Sequence, residues 1–123
     1  MCVAASLATI DLLEKKYMEN ARKMGEFILA KIADWPEKYR IVGDVRGKGL
    51  MIGVEIVQDK KTKERAPALR NKIVDRAFLK GLLILGAGEN TIRLAPPLVI
   101  DEEQAEYAVR ALGECIAEVE RAR

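Results

Sequence analysis

The spacing of apolar residues changes its period along this chain, and the order of those changes limits the folds open to it. Helical spacing runs from Leu7 to Ile32, and two β-rich runs then flank the glycines of Gly47-Lys48-Gly49. Another helical stretch, two short strand-like runs and a last helical stretch follow. The predicted order is therefore helix, two strands, helix, two strands, helix. We expect an α/β fold of the two-layer α+β kind, a small and mostly antiparallel sheet with helices on one face.

The first half is predicted to form one long amphipathic helix and one hairpin. The helix has a possible kink near residues 17–20 and ends at Trp35-Pro36, because proline disfavours helix in the residue before it. The hairpin joins residues 41–46 to residues 50–57 through its glycine turn. The polar residues 58–65 are predicted to form a mobile loop.

The second half is predicted to hold two helices around a second strand pair. One helix begins at Pro67 and is capped at Gly81. Residues 82–85 are predicted to form a short buried strand, residues 86–90 a turn, and residues 91–94 the returning strand. Asp101 and Gln104 have the spacing of a capping box at the start of the last helix, where Cys115 is expected in the core.

Length and composition exclude several classes of function. The chain has 123 residues and is predicted to be one domain, residues 1–123. Its net charge of +2 does not predict binding to nucleic acid or to a membrane, and no run is long enough to span one. The lack of histidine rules out Ser/His/Asp and Cys/His sites, and two distant cysteines make a metal site or disulfide unexpected. A reducing, cytoplasmic setting is expected.

Two glycine-containing segments invite comparison with phosphate-binding loops. Residues 46–53 contain two basic residues among glycines, but they precede a strand, whereas a dinucleotide fingerprint follows a strand and opens a helix. A hairpin turn with an exposed Lys48 is the favoured interpretation. Residues 86–88 have no helix directly after them, so a plain turn is favoured there too.

Arg93 is the residue that most suggests a binding site. It lies within the largely apolar run Thr91–Ile100, shortly before Pro96-Pro97. A guanidinium is costly to bury without an anion, and its planar fork grips a carboxylate through two parallel hydrogen bonds. The carboxylate could belong to a substrate or to an Asp or Glu elsewhere. Strand alternation leaves a second interpretation equally open, an exposed arginine on the open face of the sheet.

Several segments together resemble the C-terminal part of class III aminotransferases, the group of 4-aminobutyrate, ornithine and acetylornithine aminotransferases. They cover essentially the whole chain and are, in sequence order, Ala4–Asp11, Asn20–Arg22, Val45–Glu55, Gly81–Leu83 and Asn90–Leu98. The resemblance implies the small domain of a fold-type-I pyridoxal-phosphate enzyme. It also implies that Arg93, the arginine of the family's R-x-x-P-P motif, binds the carboxylate of an amino-acid or keto-acid substrate.

The resemblance also implies what this chain does not carry. The family's catalytic lysine, cofactor-ring aspartate and phosphate-binding residues belong to a large domain that precedes this segment, and no lysine here matches the catalytic motif. Pyridoxal phosphate is therefore expected in the full-length enzyme, and this chain alone is expected to bind no cofactor or metal and to be inactive. The intact enzyme is expected to be a homodimer whose large domain is this domain's partner.

The function implied is transfer of an amino group from an amino acid, such as 4-aminobutyrate, ornithine or acetylornithine, to a 2-oxo acid. Three alternatives remain open. The chain could belong to a pyridoxal-phosphate amino-acid racemase, could be one half of a protein encoded in two parts, or could be a freestanding α/β interaction or ligand-binding domain. A freestanding domain should carry polar residues on the sheet face that would otherwise meet the large domain, whereas a large exposed apolar patch there would favour a severed domain or one that associates with itself.

Overall fold

The structure, a computed structural model, describes all of residues 1–123. It contains five helices and five strands, and a π-helical turn at Leu13–Tyr17 joins the first two helices. The helices are α1 (Cys2–Leu12), α2 (Met18–Ile32), α3 (Trp35–Lys38), α4 (Pro67–Leu79) and α5 (Glu102–Arg121). The strands are β1 (Val42–Lys48), β2 (Met51–Asp59), β3 (Glu64–Arg65), β4 (Leu85–Ala87) and β5 (Thr91–Leu94).

The strands form one antiparallel sheet in the order β1-β2-β5-β4, and the short β3 pairs with the far end of β2. The central strand β2 alternates, so that Ile52, Val54 and Ile56 are buried on one face while Met51 is exposed on the other. Helices α2, α4 and α5 cover the buried face. The expected fold, a small antiparallel sheet with helices on one face, is confirmed.

The core lies between this covered face and the three long helices. Ile92 of β5 joins the three β2 residues there and is completely buried. The helices contribute Met24, Ile28, Ile32, Leu69, Ile73, Ala77, Leu112, Cys115 and Ile116. Each large aliphatic side chain buried in this way stabilises the fold by about 1.5–3 kcal/mol. Cys115 is a core residue as expected, and burial raises the pKa of its thiol.

The predicted first helix is interrupted, and only its second part is amphipathic in the expected sense. The π-helical turn at Leu13–Tyr17 lies slightly before the expected kink. In α2 the apolar residues Met24, Ile28 and Ile32 are buried against the sheet. In α1 no residue is buried, and Leu7 and Ile10 are exposed. The prediction for those two residues was wrong because no residue of α1 is buried, so the rest of this chain does not cover its apolar side chains.

The expectation that Trp35-Pro36 would end the first helix was also wrong in detail. Helix α2 already stops at Ile32, and Trp35 and Pro36 begin the short helix α3, because proline is accommodated in a first helical turn. Trp35 is buried and meets Tyr39 edge to face, with ring centroids 5.7 Å apart. Helix α3 thereby fills the space between α5 and the start of β1.

The β1–β2 hairpin forms as predicted and is pressed against α2. Its turn is made by Gly49 and Leu50, and Gly49 adopts a positive φ of 55°. Gly25 of α2 meets this turn so closely that an added Cβ would lie 2.2 Å from the carbonyl oxygen of Gly49. The absence of a side chain at Gly25 is what allows α2 to touch the hairpin turn.

The second strand pair differs from its prediction. Residues 82–85 do not form a buried strand, because β4 begins only at Leu85, and both Leu83 and Leu85 are exposed. Consequently Gly86 and Ala87 belong to the edge strand, and the turn is shorter than predicted. The returning strand β5 at Thr91–Leu94 is confirmed.

Three further predictions concern the ends of elements. Gly81 follows α4 with φ of 78°, as expected for a helix cap. The capping box of α5 is present, with the Gln104 N–H donating to Asp101 Oδ1 at 2.9 Å. The polar segment 58–65 is not wholly a loop, since Glu64–Arg65 pairs with β2. None of the helices has the length and apolar character needed to span a bilayer.

Candidate functional site

Arg93 lies on the open face of the sheet. Its neighbour Ile92 is fully buried under the helices, so strand alternation turns Arg93 to the opposite side, where it is exposed. Across the strands Arg93 pairs with Gly53 of β2 and with Leu85 of β4, and Gly53 in turn pairs with Arg46 of β1. Arg93 therefore stands beside a residue without a side chain, which leaves room around its guanidinium.

The Arg93 guanidinium has no partner within the chain. It makes no hydrogen bond or salt bridge, whereas every other arginine contacts a carboxylate, a backbone carbonyl or an aromatic ring. In the same cross-strand row, for example, Arg46 Nη1 lies 2.7 Å from Asp44 Oδ2. An internal Asp or Glu partner for Arg93, one of the interpretations left open by the sequence, is thus absent. Its five donors are available to an external anion.

Both ends of β5 are fixed by contacts that sequence reasoning did not find. At the start, buried Asn90 donates from Nδ2 to the carbonyl of Ile56 at 2.8 Å, and Ile56 N–H donates back to the Asn90 carbonyl. After the Pro-Pro corner, Asn20 Nδ2 donates to the carbonyls of Leu98 at 2.6 Å and Ile100 at 3.1 Å. These contacts fix the position and direction of β5, the strand that carries Arg93.

The turn between β4 and β5 is held by arginines of this chain. Arg65 Nη1 lies 2.7 Å from the Glu89 carboxylate, and Arg70 Nη2 donates to the Glu89 carbonyl at 3.2 Å. Arg70 occupies the space that a side chain at Gly86 would need, since a Cβ there would fall on Nη1. No helix follows the turn, which argues against a phosphate loop, but Gly86 and Ala87 belong to β4, so the turn itself occupies residues 88–90.

A cleft of about 440 Å³ opens beside Arg93, at the end of β5 where the chain leaves the sheet. Its walls are the segments 81–85 and 94–97, and its floor is formed by the first turns of α5 with Ile28 of α2. The lining is mostly apolar, and Arg93 is its only charged side chain. The site therefore combines one unpaired cation with an apolar surface.

The lysines of this chain do not fit a role in attaching pyridoxal phosphate. Such a lysine needs a desolvated pocket that favours its neutral form, and no lysine here is buried. Lys80 has the opposite surroundings, because hydrogen bonds to the carboxylates of Glu114 and Glu118 raise its pKa. Lys48 is exposed at the end of β1, next to the hairpin turn, as expected. No cluster of three or more His, Cys, Asp or Glu residues could hold a metal.

Comparison with known families gives this geometry its context. The family model "Aminotransferase class-III" matches residues 1–116, nearly the whole chain. The chain belongs to the class-III aminotransferase family. The resemblance inferred from the sequence segments is confirmed, and the family is one of pyridoxal-phosphate-dependent transferases.

Among curated members of the family, both racemases and aminotransferases are similar to this chain. It is 41% identical to a leucine/methionine racemase of Thermococcus litoralis over 97% of its length, and 42% identical to an alanine/serine racemase of Pyrococcus horikoshii over 92%. It is 36% identical to the 5-aminovalerate aminotransferase of Pseudomonas aeruginosa over 94%. The chain spans 27%, 24% and 28% of the length of these three proteins.

Solved structures of the family have the same fold. An amine transaminase from an uncultivated Pseudomonas species, solved with bound pyridoxal phosphate, matches with a TM-score of 0.88 and 38% identity, over 94% of this chain and 27% of that one. A Bacillus anthracis aminotransferase matches with a TM-score of 0.85 and 31% identity, over 91% of this chain and 27% of that one. The two-layer fold is therefore that of a segment of these transaminases.

Proposed function

We propose that this chain serves as the C-terminal small domain of a pyridoxal-phosphate enzyme that transfers an amino group from an amino acid to a 2-oxo acid. Within that enzyme, Arg93 binds the substrate carboxylate, and the domain closes the active site. The observation that carries this proposal is the free guanidinium of Arg93, exposed on the open face between Gly53 and Leu85 and without an internal partner. The family membership supplies the reaction class.

The contribution of Arg93 is positional. A guanidinium that holds both carboxylate oxygens fixes the direction of the Cα–N bond of an amino acid, and correct orientation lowers the barrier of a reaction between two bound groups. Bound in the enzyme, the cofactor supplies the electron sink. Because this chain has no lysine suited to hold it, we propose that the chain alone neither binds pyridoxal phosphate covalently nor turns over.

Helix α1 supports the proposal that this domain works against a larger partner. Val3, Leu7 and Ile10 are exposed although they are apolar, and no residue of α1 is buried. Met51 is also exposed, on the open sheet face. The three α1 residues are spaced by four and three positions and so share one helix face, and an exposed apolar face commonly marks an interaction surface. The partner we propose is the large pyridoxal-phosphate domain of a homodimeric enzyme, and the freestanding interaction domain becomes the less favoured alternative.

Amino-acid racemisation is the second candidate function. The observation in its favour is the 41–42% identity to the two racemases, against 36–40% to two aminotransferases. A carboxylate anchor at Arg93 serves both reactions, because both begin with an amino acid. The two are told apart once the chain is joined to a lysine-bearing large domain, since transamination consumes a 2-oxo acid and racemisation does not.

The carboxylate site can be tested on the chain itself. We expect acetate, titrated into labelled protein and followed by NMR, to shift the Arg93 Nε–H resonance with a dissociation constant of hundreds of millimolar, because an exposed ion pair contributes about 0–1 kcal/mol. Arg93→Gln should abolish the saturable shifts of neighbouring backbone amides. Arg121→Gln, which alters a distant exposed arginine, should leave them unchanged.

Two results would contradict the proposal. Acetate-induced shifts that are the same in Arg93→Gln as in the unaltered chain would remove Arg93 from the site. Stoichiometric attachment of pyridoxal phosphate to a lysine of this chain, with turnover of an amino acid and a 2-oxo acid, would show that the chain is an enzyme by itself.

A further inference from the structure

We infer that the cleft beside Arg93 selects carboxylates that carry an apolar chain, so that the amino acid or oxo acid handled at this site has an uncharged, apolar side group. The inference rests on the proposed carboxylate role of Arg93 and adds the class of substrate. It follows from the position of the cleft, the character of its lining and the charge at its edge.

Arg93 lines the cleft together with mostly apolar residues. Leu83 and Leu85 form one wall and Pro96 the other, and the Tyr107 ring and Ile28 lie in the floor. Leu83 is 81% exposed and Leu85 is 62% exposed. Covering these side chains with a ligand removes apolar surface from water, which favours binding. An apolar chain laid along the cleft provides that cover.

The charge distribution favours a ligand with a single anionic group. Arg93 is the single charged lining residue, and the remaining polar side chains are those of Gln104 and Tyr107. The Tyr107 hydroxyl already donates to the Lys80 carbonyl at 2.8 Å. A second carboxylate, or an ammonium at the far end of the ligand, would enter this lining without an opposite charge to meet it, which is unfavourable.

Other hollows on the surface lack this combination. The one between the π-helical turn and the start of α5 is lined by both Lys23 and Glu102, which pair with each other at 2.9 Å. The one near the C-terminus has no apolar lining residue. Only the cleft at Arg93 joins an unpaired guanidinium to an apolar surface of a size suited to a small ligand.

The test is a chain-length series of carboxylates titrated into the chain and followed by NMR. From acetate to butyrate to hexanoate, the dissociation constant should fall by about two- to fourfold for each methylene that enters the cleft. Glutarate and 6-aminohexanoate, which carry a second charge at the far end, should bind no more tightly than acetate. Affinity that does not change with chain length, or glutarate that binds as tightly as hexanoate, would overturn the inference.

A matched pair of variants locates the effect. Leu83→Ser should cancel most of the gain shown by hexanoate, whereas Leu79→Ser should keep it, because Leu79 is 83% exposed but lies outside the cleft. Neither side chain is in the core, so both variants should fold. A hexanoate gain that persists in Leu83→Ser would overturn the inference. Acetate binding lost in Arg93→Gln, together with a flat length series, would leave the proposed carboxylate role standing and remove only the cleft.

Discussion

The two faces of the sheet differ sharply although they are built from alternate residues of the same strands. On the covered face, Ile52, Val54 and Ile92 are at most 1% exposed and meet three helices. On the open face, Met51 is 65% exposed, and Arg93 stands in solvent without a partner. Packing on the first face determines the fold. The open face does not contribute to the core, so it can hold the unpaired charge of Arg93. The same charge at the neighbouring buried position of Ile92 would strongly destabilise the fold.

The strongest test of this comparison changes adjacent residues of β5. Ile92→Ala should lower the free energy of unfolding by about 2–5 kcal/mol, because it leaves a cavity in the core. Arg93→Gln should change it by no more than about 0.5 kcal/mol, as is usual for an exposed site. Urea denaturation of the two variants measures both values. Equal losses would mean that the open face also stabilises the fold.

A second test concerns how tightly the covering helices fit. Gly25→Ala should destabilise the protein by about 1–3 kcal/mol, although alanine favours helix by about 1 kcal/mol, because the new Cβ meets the backbone of Gly49 at 2.2 Å. The matched control is Gly113→Ala in α5, where the nearest atom is the Tyr39 hydroxyl at 3.2 Å, a side-chain group able to move. Thermal unfolding measures the stability of both variants. Similar losses of stability would mean that the contact between α2 and the hairpin turn is no tighter than the one at Gly113.

The smallest expected effect is on the outer side of the covering layer, where α4 and α5 exchange ion pairs. The hydrogen bond from Lys80 holds the pKa of Glu118 below its usual value of 4.5. A carboxyl with a lowered pKa in the folded state adds stability above the unfolded pKa, and this stability disappears as the pH falls through the folded pKa. The Glu118→Gln variant should therefore be slightly less stable at pH 7, and the difference should vanish toward pH 3.

Urea midpoints at pH 7 and at pH 3 measure this difference. Glu14→Gln, which alters an exposed carboxylate with no ion pair, is the control and should show no difference at either pH. A Glu118 effect that is undiminished at pH 3 would show that packing of the side chain, and not its charge, joins the two helices.

Much of the fold could be predicted because its signals are local. The glycine turn of the hairpin, the capping box at Asp101 and the cap at Gly81 each lie within a few residues of the structure they specify. Burial of an apolar run is not local, because it depends on what lies opposite. Residues 82–85 and α1 are as apolar as the core segments, yet Leu83 and Leu7 have no covering element and remain exposed.

The candidate site likewise has one part that could be predicted from local sequence and one part that could not. Alternation around Ile92 allowed an open-face position for Arg93, and the structure places it there. The residues that hold β5 in position could not be predicted. Asn20 reaches the carbonyls of Leu98 and Ile100 from the other end of the chain, and Arg70 fills the space above Gly86. The residues of each pair come together only when the domain folds, and the sequence around either residue gives no sign of its partner.

The strand order has a consequence for the time at which the domain can assemble on the ribosome. β5 lies between β2 and β4, so the edge strand β4 has no neighbour until the later strand β5 has been made. At roughly 5–20 residues per second, the β1–β2 hairpin waits a few seconds with one edge unpaired. α5, which completes the cover over the core, emerges later still. The newly made hairpin is thus the part of the nascent chain most in need of protection from other unpaired strands.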